Sequence, residues 1–242
     1  MRRRFFVDRF EKNSAALSGD AAEHLGRVLR AEPGQLYELS DGQRVFLARV
    51  EAVDVGRRSA PRIEFALIEP VEAREPRPAL HLLLSLVKFD RFEWALEKAT
   101  ELGVAEIVPL ASARTDKPLL EAARKRRERW QKILFESAQQ SRRLRPPVLA
   151  EIAAPDKAFV ASSAALKIFL SERPGAPALR AALPAGAASA ALAIGPEGGW
   201  TEAEVSSALS AGFAEASLGE TILRTETAVI ASLAVLRFAL AE

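Results

Sequence analysis

Residues 190–204 read Ala-Ala-Leu-Ala-Ile-Gly-Pro-Glu-Gly-Gly-Trp-Thr-Glu-Ala-Glu. The apolar run ending at Ile194 has the character of a buried strand. Thr201 and Glu204 form the S/T-x-x-E pattern that opens a helix, which runs to Ala211 and is closed by Gly212. Between strand and helix lie Gly195, Gly198 and Gly199. Glycines at such a turn let the backbone approach a ligand and leave N–H groups exposed at a helix start, which suits a carboxylate or a phosphate. The turn lacks the lysine of G-x-x-x-x-G-K-[ST] and the spacing of G-x-G-x-x-G, so it is neither a P-loop nor a dinucleotide fingerprint.

The same alternation extends in both directions. Residues 80–87 read as a buried strand, and residues 105–110 as the next one. Between them Phe92, Ala95, Leu96, Ala99 and Leu102 recur at helical spacing, with Asp90 and Glu93 as a capping-box-like pair and Gly103 at the stop. A strand-helix-strand unit implies a parallel sheet. Residues 124–141 read as a strongly basic helix stopped by Pro146-Pro147, with Trp130, Ile133, Leu134 and Ala138 as its packed stripe. Residues 166–170 supply a third strand, residues 174–184 an Ala/Pro-rich excursion, residues 213–218 a fifth strand and residues 225–240 a closing helix.

The N-terminal part has a different rhythm. Asp41-Gly42 is a hairpin signal between residues 36–39 and 45–53, and residues 63–68 form a further strand. Residues 20–29 read as a short helix with Ala21, Leu25, Val28 and Leu29 on one face. At least one of Phe5 and Phe6 is expected in the core of this small β-rich domain. Residues 72–78, polar and carrying two prolines, read as the linker. The expected domains are therefore residues 1–72 and 76–242.

Composition removes several chemistries. The 242 residues include no cysteine and two histidines, His24 and His81, so disulfides, thiolate metal sites and histidine-rich metal sites are unavailable. No G-x-S-x-G elbow occurs, which argues against a serine hydrolase. No metal is expected. The N-terminus turns charged at Asp8 and Arg9, too early for a signal peptide, and no apolar run is long enough to span a membrane, so a soluble cytoplasmic protein is expected. Net charge is only +2, but it is uneven: residues 114–145 hold eleven Lys/Arg against four Asp/Glu, and residues 1–12 hold five against two. Two basic patches on a nearly neutral chain point to a polyanion, although charge alone fits a solvated helix face equally well.

Three segments of the C-terminal half follow strand ends: residues 170–172, residues 195–199, and the run Leu218-Gly219-Glu220-Thr221-Ile222-Leu223-Arg224-Thr225-Glu226-Thr227-Ala228. Ligands in parallel sheets sit at the carboxyl ends of strands, so the three are expected to converge on one pocket. The pair Gly195-Pro196-Glu197-Gly198-Gly199-Trp200 and Ile222-Leu223-Arg224-Thr225-Glu226-Thr227-Ala228 resembles the signature of the SPOUT methyltransferases, and of the RsmE family of 16S rRNA uridine-N3 methyltransferases in particular. Glu23-His24-Leu25-Gly26-Arg27-Val28-Leu29-Arg30, Lys98-Ala99-Thr100-Glu101-Leu102-Gly103-Val104 and Trp130-Gln131-Lys132-Ile133 also match, so the resemblance runs from about Arg4 to Leu236. One segment departs from the family pattern: where the family often has an acidic residue, and a glycine before its arginine, Gln139 and Arg142 stand here.

The resemblance implies an α/β fold with a PUA-like RNA-binding β-barrel first. A SPOUT domain with a parallel sheet and a deep trefoil knot follows, a topology that pattern reading alone does not reveal. It further implies S-adenosylmethionine as cofactor, 16S rRNA of the small ribosomal subunit as partner, and a homodimer. Carried over residue by residue, it assigns cofactor binding to Leu170, Ser171, Gly195, Pro196, Glu197, Gly198, Leu218, Ile222, Leu223, Thr225, Thr227 and Ala228. Methylating the N3 of uridine needs proton loss, and negative charge then spreads onto the ring carbonyls. Arg224 is the candidate for stabilising that charge, with Arg4 and Arg143 as further candidates, and Glu226 is the candidate base. The basic helix and N-terminal arm are expected on RNA phosphates, with Arg2, Arg3, Arg27, Arg30, Arg142, Arg143 and Arg145 as contacts. The alternatives are ribose 2′-O methylation and a non-catalytic RNA-binding protein. The N-terminal match disfavours the first, and the intact cofactor segments disfavour the second.

Overall fold

The computed structural model describes residues 3–56, 60–184 and 186–240. The chain divides into two compact units, one of residues 1–75 with 138–145 and one of residues 76–137 with 146–242.

The first unit is a five-stranded sheet in the order β1-β3-β4-β5-β2, formed by β1 (Arg4–Phe6), β2 (Ser14–Ser18), β3 (Leu36–Ser40), β4 (Val45–Asp54) and β5 (Arg62–Val71). β1 pairs parallel with β3, and the other pairs are antiparallel. Register breaks between Leu47 and Ala48 and between Val50 and Ala52 bend the long β4–β5 ribbon, as bulges do. The sheet is strongly curled into a half-barrel. Its outer strands, three and five residues long, do not pair with each other. Phe5, Leu17, Leu25, Leu39, Ile63 and Phe65 fill its core. The hairpin at Asp41-Gly42 forms as read, with Gly42 at φ 84°.

The helix expected over residues 20–29 is α1 (Gly19–Glu23) continued by a π-helical turn (His24–Val28). The N–H of Leu29 reaches back five residues to the carbonyl of His24 at 3.1 Å. The wider turn rotates the following residues, so Leu25 is buried while Val28 is 65% exposed, off the face assigned to it.

The second unit is a six-stranded, fully parallel sheet in the order β11-β9-β10-β6-β7-β8. Its strands are β6 (Ala79–Ser85), β7 (Val104–Leu110), β8 (Val148–Leu149), β9 (Leu166–Leu170), β10 (Ser189–Ile194) and β11 (Ala214–Ala216). Helices α2 (Phe89–Glu101), α3 (Lys117–Arg124), α4 (Arg127–Gln140), α5 (Pro155–Ala161), α6 (Glu202–Ser210) and α7 (Thr225–Leu240) complete it. One core packs α2 and α7 on the sheet through Phe92, Leu96, Leu82, Leu192, Val229 and Leu233. A second joins α5 and α6 to Leu83, Phe169 and Ala191 through Phe159, Val205 and Phe213. These residues alternate along the strands, as a sheet covered on both faces requires.

Three expectations change. The helix expected over residues 124–141 is α4, which starts three residues later, because the chain turns at Lys125 and Arg126, whose N–H groups bond back to Ala122 and Ala123. The helices α3 and α5 and the short strand β8 lie outside the expected elements. The capping box at Asp90 and Glu93 does not form: the N-cap is Lys88, without a side-chain cap. Glu93 instead accepts from Arg126 at 2.7 Å and Arg129 at 2.8 Å. By contrast, Thr201 and Glu204 make the full reciprocal box.

Candidate functional site

The turns after β9, β10 and β11 enclose a cavity of about 810 Å³. Residues 170–176, residues 194–197 with Gly199, and residues 217–225 line it, together with Arg91 and Ala228. This volume lies within the range of small-molecule sites. The first turn of the sixteen-residue α7 borders it through Thr225 and Ala228, so the positive end of that helix dipole faces the site.

The Gly195–Gly199 turn is held from three sides. The indole Nε1 of Trp200 donates to the carbonyl of Leu170 at 2.9 Å, tying this turn to the one after β9. A Cβ on Gly195 would sit 3.0 Å from the Trp200 ring, so only glycine admits the indole there. Arg91, from the first turn of α2, pairs with the carboxylate of Glu197. Arg114 donates to the carbonyl of Gly198, and its Cδ would lie 3.3 Å from a Cβ on that glycine. Behind the turn, Glu204 bonds Thr201 through one oxygen and accepts the backbone N–H of Ala113 at 2.8 Å through the other, fixing α6 to the loop after β7. The walls carry both signs: Arg91, Arg173 and Arg224 against Glu172, Glu197 and Glu220.

Ten of the twelve residues assigned to the cofactor line this cavity: Leu170, Ser171, Gly195, Pro196, Glu197, Leu218, Ile222, Leu223, Thr225 and Ala228. Gly198 does not line it and faces Arg114 instead; Thr227 is exposed on the first turn of α7. Arg224 lines it. Glu226 does not, and its Oε2 is buried with no hydrogen-bond partner. Sequence reasoning missed Arg91 and Arg114. Each meets the turn across a separation of 106 or 84 residues, which no local pattern reports.

The remaining assignments fall in the first unit. Arg4 is 4% exposed and donates to Glu38 through Nε at 3.1 Å and Nη2 at 2.8 Å. Its Nη1 donates to the carbonyl of Arg142 at 2.5 Å. Arg142 also pairs with Glu38, so this buried carboxylate serves two guanidinium groups. Arg142 adopts φ 55°, the left-handed region that glycine favours, where the resembling family often carries glycine. Its two links to Glu38 and Arg4 offset a backbone cost of about 1 kcal/mol. Arg143 is buried, and burial pushes its guanidinium below the ordinary value while Glu75 opposes the shift. Arg145 pairs with Glu75 at 2.9 Å. Arg27 pairs with Glu23 and donates to the carbonyl of Val55 at 2.9 Å. Arg3 and Arg30 are exposed, and Arg2 lies outside the described residues. Among the described residues, no group of three or more His, Cys, Asp or Glu could hold a metal ion, and no helix is long and apolar enough to cross a membrane.

The model of the RNA methyltransferase domain matches residues 74–237. The ribosomal RNA small subunit methyltransferase E of Synechocystis sp. is 36% identical over 87% of this chain and 68% of its own length. The protein of that name from Bacillus subtilis is 32% identical over 94% of this chain and 91% of its length. The crystal structure of ribosomal RNA small subunit methyltransferase E from Neisseria gonorrhoeae, bound to S-adenosyl methionine, superposes with a TM-score of 0.86 at 31% identity and covers 98% of each chain. A domain model spanning most of the chain, full-length relatives and a matching fold agree: the chain belongs to the ribosomal RNA small subunit methyltransferase E family.

Proposed function

We propose that this protein transfers the methyl group of S-adenosylmethionine to N3 of a uridine in 16S rRNA of the small ribosomal subunit. The observation that carries the reading is the cavity after β9, β10 and β11, built from the residues that the family resemblance assigns to the cofactor. Its chemistry fits that molecule. The backbone-rich turns suit an adenosine moiety, and walls bearing three cations and three anions suit a zwitterionic amino acid.

When bound, adenosylmethionine supplies an electrophilic sulfonium methyl. Leu170, Gly195, Leu218 and Leu223 would hold it against the ends of the strands, and Thr225 and Ala228 would close the floor. Arg224 stabilises the negative charge that develops on the uracil carbonyl oxygens once the N3 proton is lost. The proton passes to solvent, because Glu226, the candidate base of the sequence, does not line the cavity. Holding both reactants in one site lowers the barrier further, by about 7–11 kcal/mol for well-oriented groups.

In this reading the half-barrel is a PUA-like RNA-binding unit, the parallel sheet with its turns is a SPOUT domain with a deep trefoil knot, and the protein works in the cytoplasm. The target base is unstacked to reach the pocket. It acts as a homodimer, a state supported by Trp94 (43% exposed) on α2 with Val235 (40%) and Phe238 (89%) on α7, apolar side chains on two helices that pack together.

The test is to incubate the protein with unmodified 16S rRNA, or with small subunits, and labelled adenosylmethionine, then to digest the RNA and identify the labelled nucleoside. Label in 3-methyluridine is expected. Label in a 2′-O-methylated nucleoside would replace the specificity, and cofactor binding without any label in either substrate would sink the enzymatic reading.

A further inference from the structure

Eleven Lys/Arg occupy residues 114–145, and the structure divides them sharply. Arg114, Arg126, Arg127, Arg129, Lys132, Arg142, Arg143 and Arg145 all engage protein carbonyls or carboxylates. The side chains of Lys117, Arg124 and Lys125 make no hydrogen bond or ion pair among the described residues. All three belong to α3 or its C-cap.

That helix forms one wall of a second cavity, of about 540 Å³, which shares no lining residue with the first. Leu120, Ala123 and Arg124 come from α3, Arg127 and Trp130 from α4, and the rest of the wall from the turns after β7 and β8. The lining is apolar except for Arg124, Arg127 and Glu151, and the latter two pair with each other at 3.2 Å. Trp130 is 1% exposed, and its indole Nε1 is buried with no hydrogen-bond partner.

We propose that this cavity takes one unstacked nucleotide of the RNA substrate, a site that rests on the reading of the protein as an rRNA methyltransferase. The base enters between Leu120, Ala123 and Ile152, where its ring atoms meet apolar walls. Its phosphates fall to Arg124 and Lys125, the cations that the fold leaves unmatched. Both cavities open at the carboxyl edge of the same sheet. One lies beyond β11, β9 and β10 and the other beyond β7 and β8, with β6 between the two sets in the strand order. A short single strand that places its target base at the first cavity therefore passes the second. Recognition of splayed single-stranded bases beside a basic groove is the ordinary way RNA sequence is read.

The experiment measures binding of unmodified 16S rRNA to the full chain across a series of salt concentrations, alongside calorimetric binding of adenosylmethionine. Two variants are compared with wild type: Arg124→Glu with Lys125→Glu, and Leu120→Trp, which fills the cavity. The charge variant should weaken RNA binding at least about tenfold at about 0.15 M salt. Its salt dependence should flatten by about 1.4 in log–log slope, for two lost phosphate contacts on a single strand. Leu120→Trp should weaken RNA binding about fivefold with the slope unchanged, and both should bind adenosylmethionine like wild type. The charge effect without the cavity effect would overturn base insertion. Two variants indistinguishable from a wild type that methylates the RNA would overturn the site alone. A wild type that binds adenosylmethionine but neither binds nor methylates 16S rRNA would overturn the underlying reading, and this site with it.

Discussion

Replacing Gly195 by alanine tests how tightly the cofactor cavity is built. Gly195 has no left-handed backbone, so the substitution acts through space alone. The new methyl would lie 3.0 Å from Cε2, 3.2 Å from Nε1 and 3.3 Å from Cδ2 of Trp200. The indole has little freedom to yield, since its Nε1 is bonded to the Leu170 carbonyl at 2.9 Å and its edge packs on Phe159 with centroids 5.8 Å apart. The ring must shift by a few tenths of an ångström, which lengthens that hydrogen bond and displaces Leu170, a wall of the cavity. Overpacking of this kind costs about 1–3 kcal/mol, and the weakened hydrogen bond about 0.5–1.5 kcal/mol. If half of the total falls on the bound state, adenosylmethionine affinity drops about tenfold, at about 1.4 kcal/mol per decade. Titration calorimetry with the cofactor, with denaturant unfolding in parallel, reads both parts. Trp200→Phe relieves the crowding while forfeiting the N–H, so the double variant should bind more tightly than Gly195→Ala alone. A Gly195→Ala protein with wild-type affinity, or a double variant no better than the single one, would refute the reasoning.

Arg224→Ala should lower kcat by about 10²–10³ with cofactor affinity within about threefold, as for a group that acts on developing charge; a loss of affinity with kcat preserved would make Arg224 a cofactor anchor instead. Glu38→Gln leaves the guanidinium of Arg4 buried with a neutral partner, and should destabilise the first unit by about 3 kcal/mol in denaturant; a loss under about 1 kcal/mol would show that the triad is dispensable. At Asp41, burial alone would raise the carboxyl, but the backbone N–H groups of Arg44 and Gln43 and the Arg44 guanidinium outweigh it and hold the group below its ordinary value of 3.8. A depressed folded-state value stabilises the fold above the unfolded value and is lost as pH falls through the folded one. The stability gap between wild type and Asp41→Asn, about 1 kcal/mol at neutral pH, should therefore persist to about pH 4 and close below it; a gap constant into strong acid would contradict this.

The elements read correctly are those whose information is local. The parallel strands carry continuous apolar runs, and the Thr201–Glu204 box and the Thr225–Leu240 helix are set by neighbours in sequence. The failures each have a nonlocal or compositional cause. Glu93 stands where a capping box expects it, but Arg126 and Arg129, more than thirty residues away, claim its carboxylate. The seven residues of α5, Pro-Asp-Lys-Ala-Phe-Val-Ala, are too few for a periodic stripe to declare itself. The π-turn after α1 shifts a helical face by widening one turn, which no fixed period anticipates. At the site, the turns themselves were legible because glycines and a capping box mark them. The two arginines that clamp them were not, because a clamp is a contact between distant segments.

Charge shows the same division most clearly. A count along residues 114–145 gives an excess of seven cations, and read as a surface it would make the whole stretch a polyanion contact. Folding matches most of that charge inside the protein: Glu38 takes Arg142, Glu75 takes Arg143 and Arg145, and Glu93 takes Arg126 and Arg129. Three of these acids precede residue 114, so the window that displayed the excess left out the groups that neutralise it. Matched and partly buried guanidinium groups steer a phosphate weakly, since their field is cancelled within a few ångströms and moving them would cost the pair. What remains for a polyanion in this tract is α3 and its C-cap, with Lys117, Arg124 and Lys125, beside an apolar cavity. A basic run in a sequence therefore gives an upper bound on the charge offered to RNA, and the fold decides which cations count.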